Sequence, residues 1–350
     1  MDPGSPEGRC RLMRWLCTAN RGFANYALEE LRRLFDVKAV KQIAAGEIFT
    51  IETDLEREAM LEAIQAKEPI FLRHIQPVDR TVTIEGNADD LNHLSELVRN
   101  AKPVFSGKRT AVHIRRSASS PYHYTASDTK GVLDAVLDEL DSEPVMQNPD
   151  IILSIYAAGE ELLAGWGTPG ELLSDWPGGA VRFQREEEQI SRAKFKLLEA
   201  ERAFGLHLED YKEALDIGAA PGGWTSLLLE RGCAVTAVDP ADLHPSLMDH
   251  PRLAYFKKNA GEVKFRPDTF DLLVCDMSWS PMLMVKLVLD LQASLERGGT
   301  AIITIKLMHR KPLQTIRDVI RKLEESSFKL LKAKQLFHNR DEITLYLNKI

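Results

Sequence analysis

A glycine-rich turn between two apolar stretches constrains this chain more than any other feature of its 350 residues. The apolar stretch 214–218 ends on Gly218 and runs into Ala220-Pro221-Gly222-Gly223-Trp224, where a helix is expected to begin. The next apolar stretch, 234–239, ends on Asp239, twenty-one positions after Gly218. Glycines let a backbone turn tightly and approach a ligand, and an acid at this distance can accept both hydroxyl hydrogens of a ribose. The pattern therefore predicts a site for a cofactor that contains a nucleoside.

The spacing of the glycines favours S-adenosylmethionine over a dinucleotide. The dinucleotide motif G-x-G-x-x-G needs a second glycine where this chain has Ala220-Pro221, so a pyrophosphate is not expected. With Pro221 in the turn and Trp224 at the helix start, the pocket suits a cofactor without phosphates. A strand, turn and helix that bind no ligand are the alternative, and Asp239 at the ribose-binding distance argues against it.

The composition, 44% hydrophobic and 28% charged, is typical of a soluble globular protein. No apolar run reaches the length of a membrane span, and residues 1–8 lack the apolar core of a secretory signal, so we expect a cytoplasmic protein without membrane contact. The four cysteines form no C-x-x-C pair, and the nine histidines do not cluster with them at the spacing of metal ligands. Neither a metal site nor a disulfide framework is predicted.

The net charge of −7 conceals a basic carboxyl-terminal segment. Residues 301–350 contain eleven Lys and Arg against five Asp and Glu, whereas residues 1–300 contain 34 against 47. Such segregation is a usual electrostatic sign of a nucleic-acid partner, although a solvated helix face gives the same pattern. The residues that could form this basic flank are Arg310, Lys311, Arg317, Arg321, Lys322, Lys329, Lys332 and Lys334.

Strands and helices alternate through the carboxyl-terminal half, which predicts an α/β fold with a doubly wound sheet. The expected strands are 214–218, 234–239, 253–257, 270–276, 299–306, 327–337 and 342–349. The expected helices are 189–203, 223–231, a short one near 243–249, 281–296 and 313–325. The last two strands follow each other without a helix, so one of them must be antiparallel.

The amino-terminal half has shorter units, which predict a separate α+β region. Its expected helices are 22–35, 55–67, 88–101 and 126–140, and its expected strands are 13–18, others near 37–53, 80–86, 109–116, 151–157 and 160–165. Glycines and prolines between 167 and 179, followed by the charged run 185–188, mark the joint between the halves. The predicted organisation is a disordered stretch 1–9, an α+β region 10–170, a linker 171–190 and an α/β domain 191–350.

Four polar side chains are predicted to meet at the carboxyl edge of the doubly wound sheet, where such folds place their sites. Asp276 and Lys306 end two expected strands, and Glu342 opens the last strand, whose start reaches the same edge if that strand is antiparallel. Lys196 lies in the helix before the first strand of this sheet. Taken singly, each lysine could belong to an ordinary ion pair, and only the four together indicate a site.

The order of these four residues resembles the Lys-Asp-Lys-Glu tetrad of FtsJ-like RNA 2'-O-ribose methyltransferases. The matching segments are 191–197, 275–277, 303–306 and 339–347. With Trp176-Pro177-Gly178-Gly179 and the turn 219–225, they are similar to RlmM, a family of bacterial 23S rRNA cytidine 2'-O-ribose methyltransferases. The resemblance implies a Rossmann-like methyltransferase fold, S-adenosylmethionine as cofactor, and as partner the 23S rRNA or a pre-ribosomal large-subunit particle.

The amino-terminal half is similar to a second part of that family. The segments 20–24, 29–31 and 148–155 look like the two ends of a THUMP-type RNA-binding module with its ferredoxin-like partner. This likeness implies a region that grips structured RNA. By periodicity alone, the helix 22–35 and the strand 151–157 could equally be plain core.

The chemistry of ribose methylation explains why two amines and two carboxylates would be needed. A 2'-hydroxyl is a weak nucleophile, so a general base must take its proton during in-line attack on the methyl group. We assign Lys306 as this base, which acts only as a neutral amine. The cation Lys196 and the loss of water favour that neutral form, whereas Asp276 and Glu342 favour the charged form and orient the amine.

The resemblance also implies which residues surround the cofactor. The glycine turn would cradle the methionine and ribose, Asp239 would hold the ribose, and Ser191 and Asp276 would lie near the carboxylate or amino group. Asn259 departs from the family, which has an aspartate at this place, but its amide oxygen can still accept from the adenine amino group. The expected cofactor-binding residues are Ser191, Gly218, Ala220, Pro221, Gly222, Gly223, Trp224, Asp239, Asn259 and Asp276.

Three other functions compete with ribose methylation. A base-directed RNA methyltransferase would carry an Asn/Asp-Pro-Pro-aromatic turn after the fourth strand, where this chain has Asp276-Met277-Ser278-Trp279. An RNA-binding protein of this fold without turnover would have no need of all four polar residues. A small-molecule or protein methyltransferase is disfavoured by the amino-terminal region and by the basic carboxyl-terminal segment.

Overall fold

The chain divides into two compact units, residues 1–181 and 182–350. The computed structural model describes residues 12–184, 189–307 and 311–350. The parts of the sequence predictions that lie outside the described residues are the disordered stretch 1–9, the charged run 185–188 and Arg310.

The first unit contains two β-sheets and the helices that pack on them. Its first helix buries Ala24, Ala27, Leu28 and Leu31, which is the spacing of one helical face. The elements follow in the order β1 (Met13–Ala19), α1 (Ala24–Leu34), β2 (Ala39–Ala44), β3 (Ile48–Thr53), α2 (Arg57–Ala66), β4 (Leu72–Pro77), β5 (Arg80–Thr83), α3 (Asp89–Asn100), α4 (Lys102–Phe105), β6 (Arg109–Arg116), α5 (Ala126–Glu139), β7 (Glu143–Pro144), β8 (Ile151–Ala158) and β9 (Glu161–Gly167).

The two sheets of this unit differ in strand direction. Among the described residues, the first sheet has the order β2-β3-β1-β4, and its neighbours are antiparallel. The second has the order β5-β9-β8-β6-β7, in which β6 is parallel to β7 and β8. Such mainly antiparallel sheets with helices belong to an α+β region, whereas the ferredoxin-like and THUMP assignments stay predictions.

Strand β4 is absent from the sequence predictions because its polar residues hide its burial. All six of its residues are buried. Gln76 donates its amide to the backbone oxygen of Ser154 at 3.1 Å, and Arg73 donates Nε to the backbone oxygen of Gly178 at 3.0 Å. These partners lie about 80 and 105 positions away in sequence, so no local pattern could reveal the hydrogen bonds of Gln76 and Arg73.

The second unit is a three-layer α/β domain. Its glycine turn lies between β10 and α7, as the sequence predicts. Its elements are α6 (Lys194–Phe204), β10 (Glu213–Ile217), α7 (Gly223–Glu230), β11 (Ala234–Val238), β12 (Leu253–Phe256), β13 (Phe270–Cys275), α8 (Pro281–Leu291), β14 (Leu295–Lys306), α9 (Pro312–Glu324), β15 (Phe328–Lys334) and β16 (Glu342–Lys349).

The sheet of the second unit has the order β12-β11-β10-β13-β14-β16-β15. The pairs from β12 to β14 are parallel, and β16 is antiparallel to both of its neighbours. The prediction of a Rossmann-like sheet with an antiparallel last strand is therefore confirmed.

Three helix predictions in this unit were wrong in extent. The helix expected at 189–203 begins only at Lys194. The helix expected near 243–249 is a single 3-10 turn at Pro245–Leu247. The helix expected at 281–296 ends at Leu291, because Leu295 already pairs with Phe270 in the sheet.

One face of this sheet is covered by α6 and α7. Leu197 of α6 and Trp224 of α7 belong to one buried cluster with Leu272, Val274 and Ile302 of the two central strands. The burial of these apolar side chains stabilises the packing of both helices on the sheet. No helix in the described part of the chain is long and apolar enough to cross a membrane.

Candidate active site

Three of the four predicted polar residues lie at the carboxyl edge of the parallel strands. Asp276 directly follows β13, and Lys306 is the last residue of β14. Glu342 opens β16 and stands opposite Lys306 in the antiparallel register. Because directly opposed residues of antiparallel strands point to the same face, Lys306 and Glu342 are side-chain neighbours.

The same three side chains face helix α6. Val274 of β13 and Ile302 of β14 pack in one cluster with Leu197 of α6. Alternate residues of a strand share a face, so Asp276 and Lys306 lie on the side of the sheet that α6 covers. Lys196, the neighbour of Leu197, reaches this group from above the sheet.

Lys196 joins the two carboxylates in one ion cluster. Its Nζ donates to Asp276 at 3.0 and 3.2 Å and to Glu342 Oε2 at 2.6 Å. The Oγ1 of Thr304 donates to Asp276 Oδ1 at 2.7 Å and fixes that carboxylate from the sheet. Since all three charged side chains are largely buried, their interaction is weakly screened by salt.

The cluster holds Lys196 in its charged form. Burial lowers the pKa of Lys196, but the charges of Asp276 and Glu342 and the hydrogen bonds to them outweigh burial, and the pKa lies above its ordinary value. Lys196 therefore cannot serve as a base at neutral pH. Lys306 is exposed, and within the described part of the chain it forms no ion pair.

The glycine turn is shaped by close packing as well as by backbone conformation. Gly218 and Gly222 have φ angles of +75° and +112°, which favour glycine. A Cβ on Gly218 would lie 2.2 Å from Cγ of Met277, and one on Gly222 would lie 2.3 Å from Cδ1 of Leu247. These two glycines are thus required by the protein's own turn, whether or not a ligand is bound.

Asp239 is held in a geometry that fits a ribose. It follows β11, and its Oδ2 accepts from the backbone N of Ala220 at 3.0 Å while its Oδ1 accepts from the backbone N of Ala241 at 2.8 Å. A carboxylate oxygen accepts more than one hydrogen bond, so both oxygens can still receive ribose hydroxyls. The carboxylate is half-buried and is oriented before any ligand arrives.

The remaining predicted cofactor residues surround the same turn, in different ways. Trp224 is only 3% exposed, and its indole nitrogen donates to the backbone oxygen of Ala193 at 2.8 Å. Its side chain therefore supports the segment that carries Ser191 and does not face open space. A Cβ on Gly223 would lie 2.9 Å from Cβ of Ser191, which places that segment against the start of α7.

Pro221 and Asn259 lie at the outer side of the site. Pro221 is exposed, and its backbone oxygen accepts from the backbone N of His244 at 2.8 Å. Asn259 is exposed, and its Nδ2 donates to Oε1 of Glu262 at 2.9 Å. This contact leaves the amide oxygen of Asn259 available as an acceptor.

The sequence reasoning missed a buried acid beneath the turn. Asp216 of β10 is 1% exposed, and its Oδ2 accepts from Oγ1 of Thr225 at 2.6 Å. Burial, aided by the nearby charges of Asp276 and Asp239, raises its pKa to about 7, against the opposing hydrogen bond from Thr225. An acid in the middle of an apolar strand, two positions before Gly218, was the available signal.

Among the residues that the structure describes, no three His, Cys, Asp or Glu side chains gather closely enough to hold a metal ion. The donors at the site are two carboxylates already bound to Lys196.

Part of the chain is similar in sequence to known methyltransferases. Residues 189–340 match the FtsJ-like methyltransferase family. Ribosomal RNA large subunit methyltransferase M of Halorhodospira halophila is 37% identical over 179 residues, which are 50% of this chain and 52% of that protein. The protein of the same name from Psychromonas ingrahamii is 28% identical over 324 residues, 84% of this chain and 83% of that protein. TrmN from Thermus thermophilus, a solved structure, covers 97% of this chain and all of its own at 16% identity, but its TM-score of 0.41 is too low to bear on the fold.

The match locates the FtsJ-like methyltransferase resemblance in one domain, residues 189–340, which lies within the second compact unit. The resemblance found in the sequence is thus confirmed for this domain, and so is S-adenosylmethionine as its cofactor. The chain spans about half the length of curated relatives such as those from Halorhodospira halophila and Laribacter hongkongensis.

Replacement of Asp216 by Asn tests the buried acid. The folded-state pKa of Asp216 is raised from 3.8 to about 7. The wild type therefore has its full stability below about pH 4, where the acid is neutral in both the folded and the unfolded state. It loses stability as the pH rises to about 7, because the unfolded state ionises more readily than the folded state. The amide keeps the acceptor for Thr225 but cannot ionise. We expect Asp216→Asn to gain more than about 1 kcal/mol in unfolding free energy over the wild type between about pH 4 and 7, and nothing further above.

Urea unfolding across this pH range measures the difference, with Asp290→Asn on the exposed side of α8 as the control. A gap between wild type and Asp216→Asn that is constant with pH would contradict a raised pKa at Asp216.

Proposed function

We propose that the protein transfers the methyl group of S-adenosylmethionine to a ribose 2'-oxygen of RNA, and that the nucleotide is a cytidine of 23S rRNA. The single observation that supports this proposal most strongly is the cluster in which Lys196 binds Asp276 and Glu342 beside Lys306. The site therefore has two amines in different environments, since Lys196 is bound in the ion cluster and Lys306 is exposed.

Lys306 is proposed as the general base. Asp276 and Glu342 are already paired with Lys196, so neither carboxylate needs Lys306 as its cation. Lys306 is exposed in this structure, so the loss of water that favours its neutral form would have to come from bound RNA. The neutral amine can then take the hydrogen of a ribose hydroxyl, while Lys196 orients the two carboxylates. Bound S-adenosylmethionine supplies a methyl group on a positively charged sulfur, and the oxygen freed of its hydrogen by Lys306 is the nucleophile.

The residues proposed to hold the cofactor are those of the glycine turn and its surroundings. The fixed carboxylate of Asp239 suits the ribose hydroxyls, and the open amide oxygen of Asn259 suits the adenine amino group. The uncapped start of α7 presents backbone N–H groups that suit a carboxylate. The proposed contacts are Ser191, Gly218, Ala220, Pro221, Gly222, Gly223, Trp224, Asp239, Asn259 and Asp276, with Trp224 acting through its backbone or through Ala193.

Two observations favour RNA as the substrate. The relatives that match carry the name ribosomal RNA large subunit methyltransferase M, and most of the carboxyl-terminal basic residues are exposed on α9 and β15. Lys334 was wrongly included in this basic flank, because it is buried. The exposed members are Lys311, Arg317, Arg321, Lys322, Lys329 and Lys332. Work on 23S rRNA or a pre-ribosomal particle would place the protein in the cytoplasm.

The rival functions are less well supported by the site. After Asp276 the loop continues Met277-Ser278-Trp279, so it lacks the prolines with which base-directed enzymes shape the pocket for an exocyclic amine. A binding protein without turnover would not need the buried Lys196, which pairs with Asp276 and Glu342 so that neither carboxylate pairs with Lys306.

Replacement of Asp239 by Ala should weaken cofactor binding. Hydrogen bonds to a charged group are worth about 1.5–3 kcal/mol, which corresponds to a rise of about tenfold or more in the dissociation constant. Asn259→Ala should raise it by a smaller factor. Titration calorimetry with S-adenosylmethionine measures both, and Asp242→Ala, which removes only the exposed pair with Lys257, is the control. Wild-type affinity in Asp239→Ala would remove this residue from the site.

Replacement of Lys306 by Ala should abolish methyl transfer and leave cofactor binding intact. The measurement is mass mapping of 2'-O-methylcytidine in 23S rRNA from a deletion strain that carries wild-type protein, Lys306→Ala or Lys286→Ala. Lys286 is an exposed lysine of α8, outside the basic flank, and serves as the control. We expect the methyl group with wild type and Lys286→Ala only. Its presence with Lys306→Ala would eliminate Lys306 as the base, and its presence in the bare deletion strain would eliminate the proposed activity.

A further inference from the structure

A single buried carboxylate ties helix α6 to the segment that leads into Glu342. The side chain of Glu199 is 5% exposed. Its Oε1 accepts from the backbone N of Phe337 at 2.7 Å, and its Oε2 accepts from the backbone N of His338 at 2.9 Å and from the ring Nδ1 of His338 at 2.7 Å. Three donors on two consecutive residues therefore converge on one side chain.

Glu199 lies on the same turn of α6 as Lys196. Side chains three positions apart on a helix lie on the same side, one above the other. Lys196 binds Glu342 at 2.6 Å, and Glu199 binds the chain four and five positions before Glu342. Both ends of this short segment are thus attached to one helical turn.

Aromatic rings hold His338 in the position that Glu199 requires. The ring of His338 stacks on Phe183 at 5.5 Å and contacts Phe195 at 5.4 Å, and the two phenylalanines stack at 5.6 Å. Phe195 is the neighbour of Lys196 on α6. The ring that donates to Glu199 is therefore held between Phe183 and a residue of the helix that carries Glu199.

The rest of the segment is also fixed to the sheet. The side chain of Asn339 accepts from the backbone N of Leu336 at 2.9 Å and from Oγ1 of Thr344 at 3.1 Å. The backbone N of Leu307, just after Lys306, donates to the backbone oxygen of Asp341 at 2.6 Å. A shift of the segment at His338 would thus be transmitted to both Glu342 and the end of β14.

We propose that Glu199 is a positioning residue for methyl transfer, which keeps Glu342 on Lys196 and Lys306 in register by holding the backbone at Phe337 and His338. The inference rests on the proposed function, since it assigns Glu199 a part in that reaction. Glu199 touches neither substrate nor cofactor, and its effect is on geometry. Misplacement of catalytic groups by about 1 Å can cost about a hundredfold in rate.

Replacement of Glu199 by Gln is the test, because the amide cannot accept all three hydrogen bonds. We expect kcat for methylation of rRNA from the deletion strain to fall at least about tenfold, with the cofactor dissociation constant and the KM for RNA close to wild type. Glu201→Gln is the matched control. Glu201 lies on the same helix and binds Arg231 at 2.8 Å, away from Glu342, so this variant should lower the melting temperature and leave kcat near wild type.

A second pair of variants separates positioning from mere stability. His338→Phe keeps the ring stack and removes one donor, and we expect a smaller fall in kcat. The second variant combines Glu199→Gln with Glu342→Gln, and its residual kcat is followed with radiolabelled methyl groups. The added Glu199→Gln should lower the kcat of Glu342→Gln by less than about twofold, because both residues act through the contact between Glu342 and Lys196.

The outcomes are distinct. The positioning role would be overturned if Glu199→Gln had the same kcat as Glu201→Gln. It would also be overturned if the fold reductions in kcat caused by Glu199→Gln and Glu342→Gln multiplied in the double variant. In either case, activity of the wild-type protein would still uphold the proposed function. An inactive wild-type protein would overturn both. If Glu199→Gln does not fold, an unchanged kcat in His338→Phe overturns the inference.

Discussion

The attraction between one buried ammonium group and two carboxylates is the interaction on which the site depends. Asp276 and Glu342 lie at the same edge of the sheet, and two buried carboxylates there would repel each other strongly. Lys196 removes this conflict at 3.0 and 2.6 Å, and the resulting pKa of Lys196 lies above its ordinary value despite its burial. Truncation of any partner would leave an uncompensated buried charge, so the three groups form one unit with helix α6.

The fold supplies this unit through an exception to its parallel sheet. Because β16 runs antiparallel between β14 and β15, its first residue rather than its last stands at the carboxyl edge of the parallel strands. Glu342 therefore stands opposite Lys306 in the strand register, and Lys196 of α6 contacts it from above the sheet. The carboxylates are therefore paired with Lys196, and this pairing is consistent with the proposed role of the neighbouring amine of Lys306 as the base.

Much of this arrangement could be predicted from the sequence, because the fold and the site share local signals. The turn around Gly218, the strand ends at Asp276 and Lys306 and the antiparallel start at Glu342 are all visible in apolar runs and in what ends them. Strand β4 and the role of Glu199 were not visible, since their partners lie about 80 to 139 positions away. Trp224 shows a different limit: a motif places the residue at the turn, but only packing decides that its ring faces the protein.

The most direct test of the central claim is the chemical position of the methyl group after reaction with purified protein. Undermethylated 23S rRNA is incubated with S-adenosylmethionine that carries a radiolabelled methyl group, and the RNA is then hydrolysed in alkali, which cannot cleave next to a 2'-O-methyl ribose. The ion cluster beside Lys306 predicts that the label is recovered in alkali-resistant dinucleotides. Label in mononucleotides would show methylation of a base and would contradict the assignment of a ribose hydroxyl to this site.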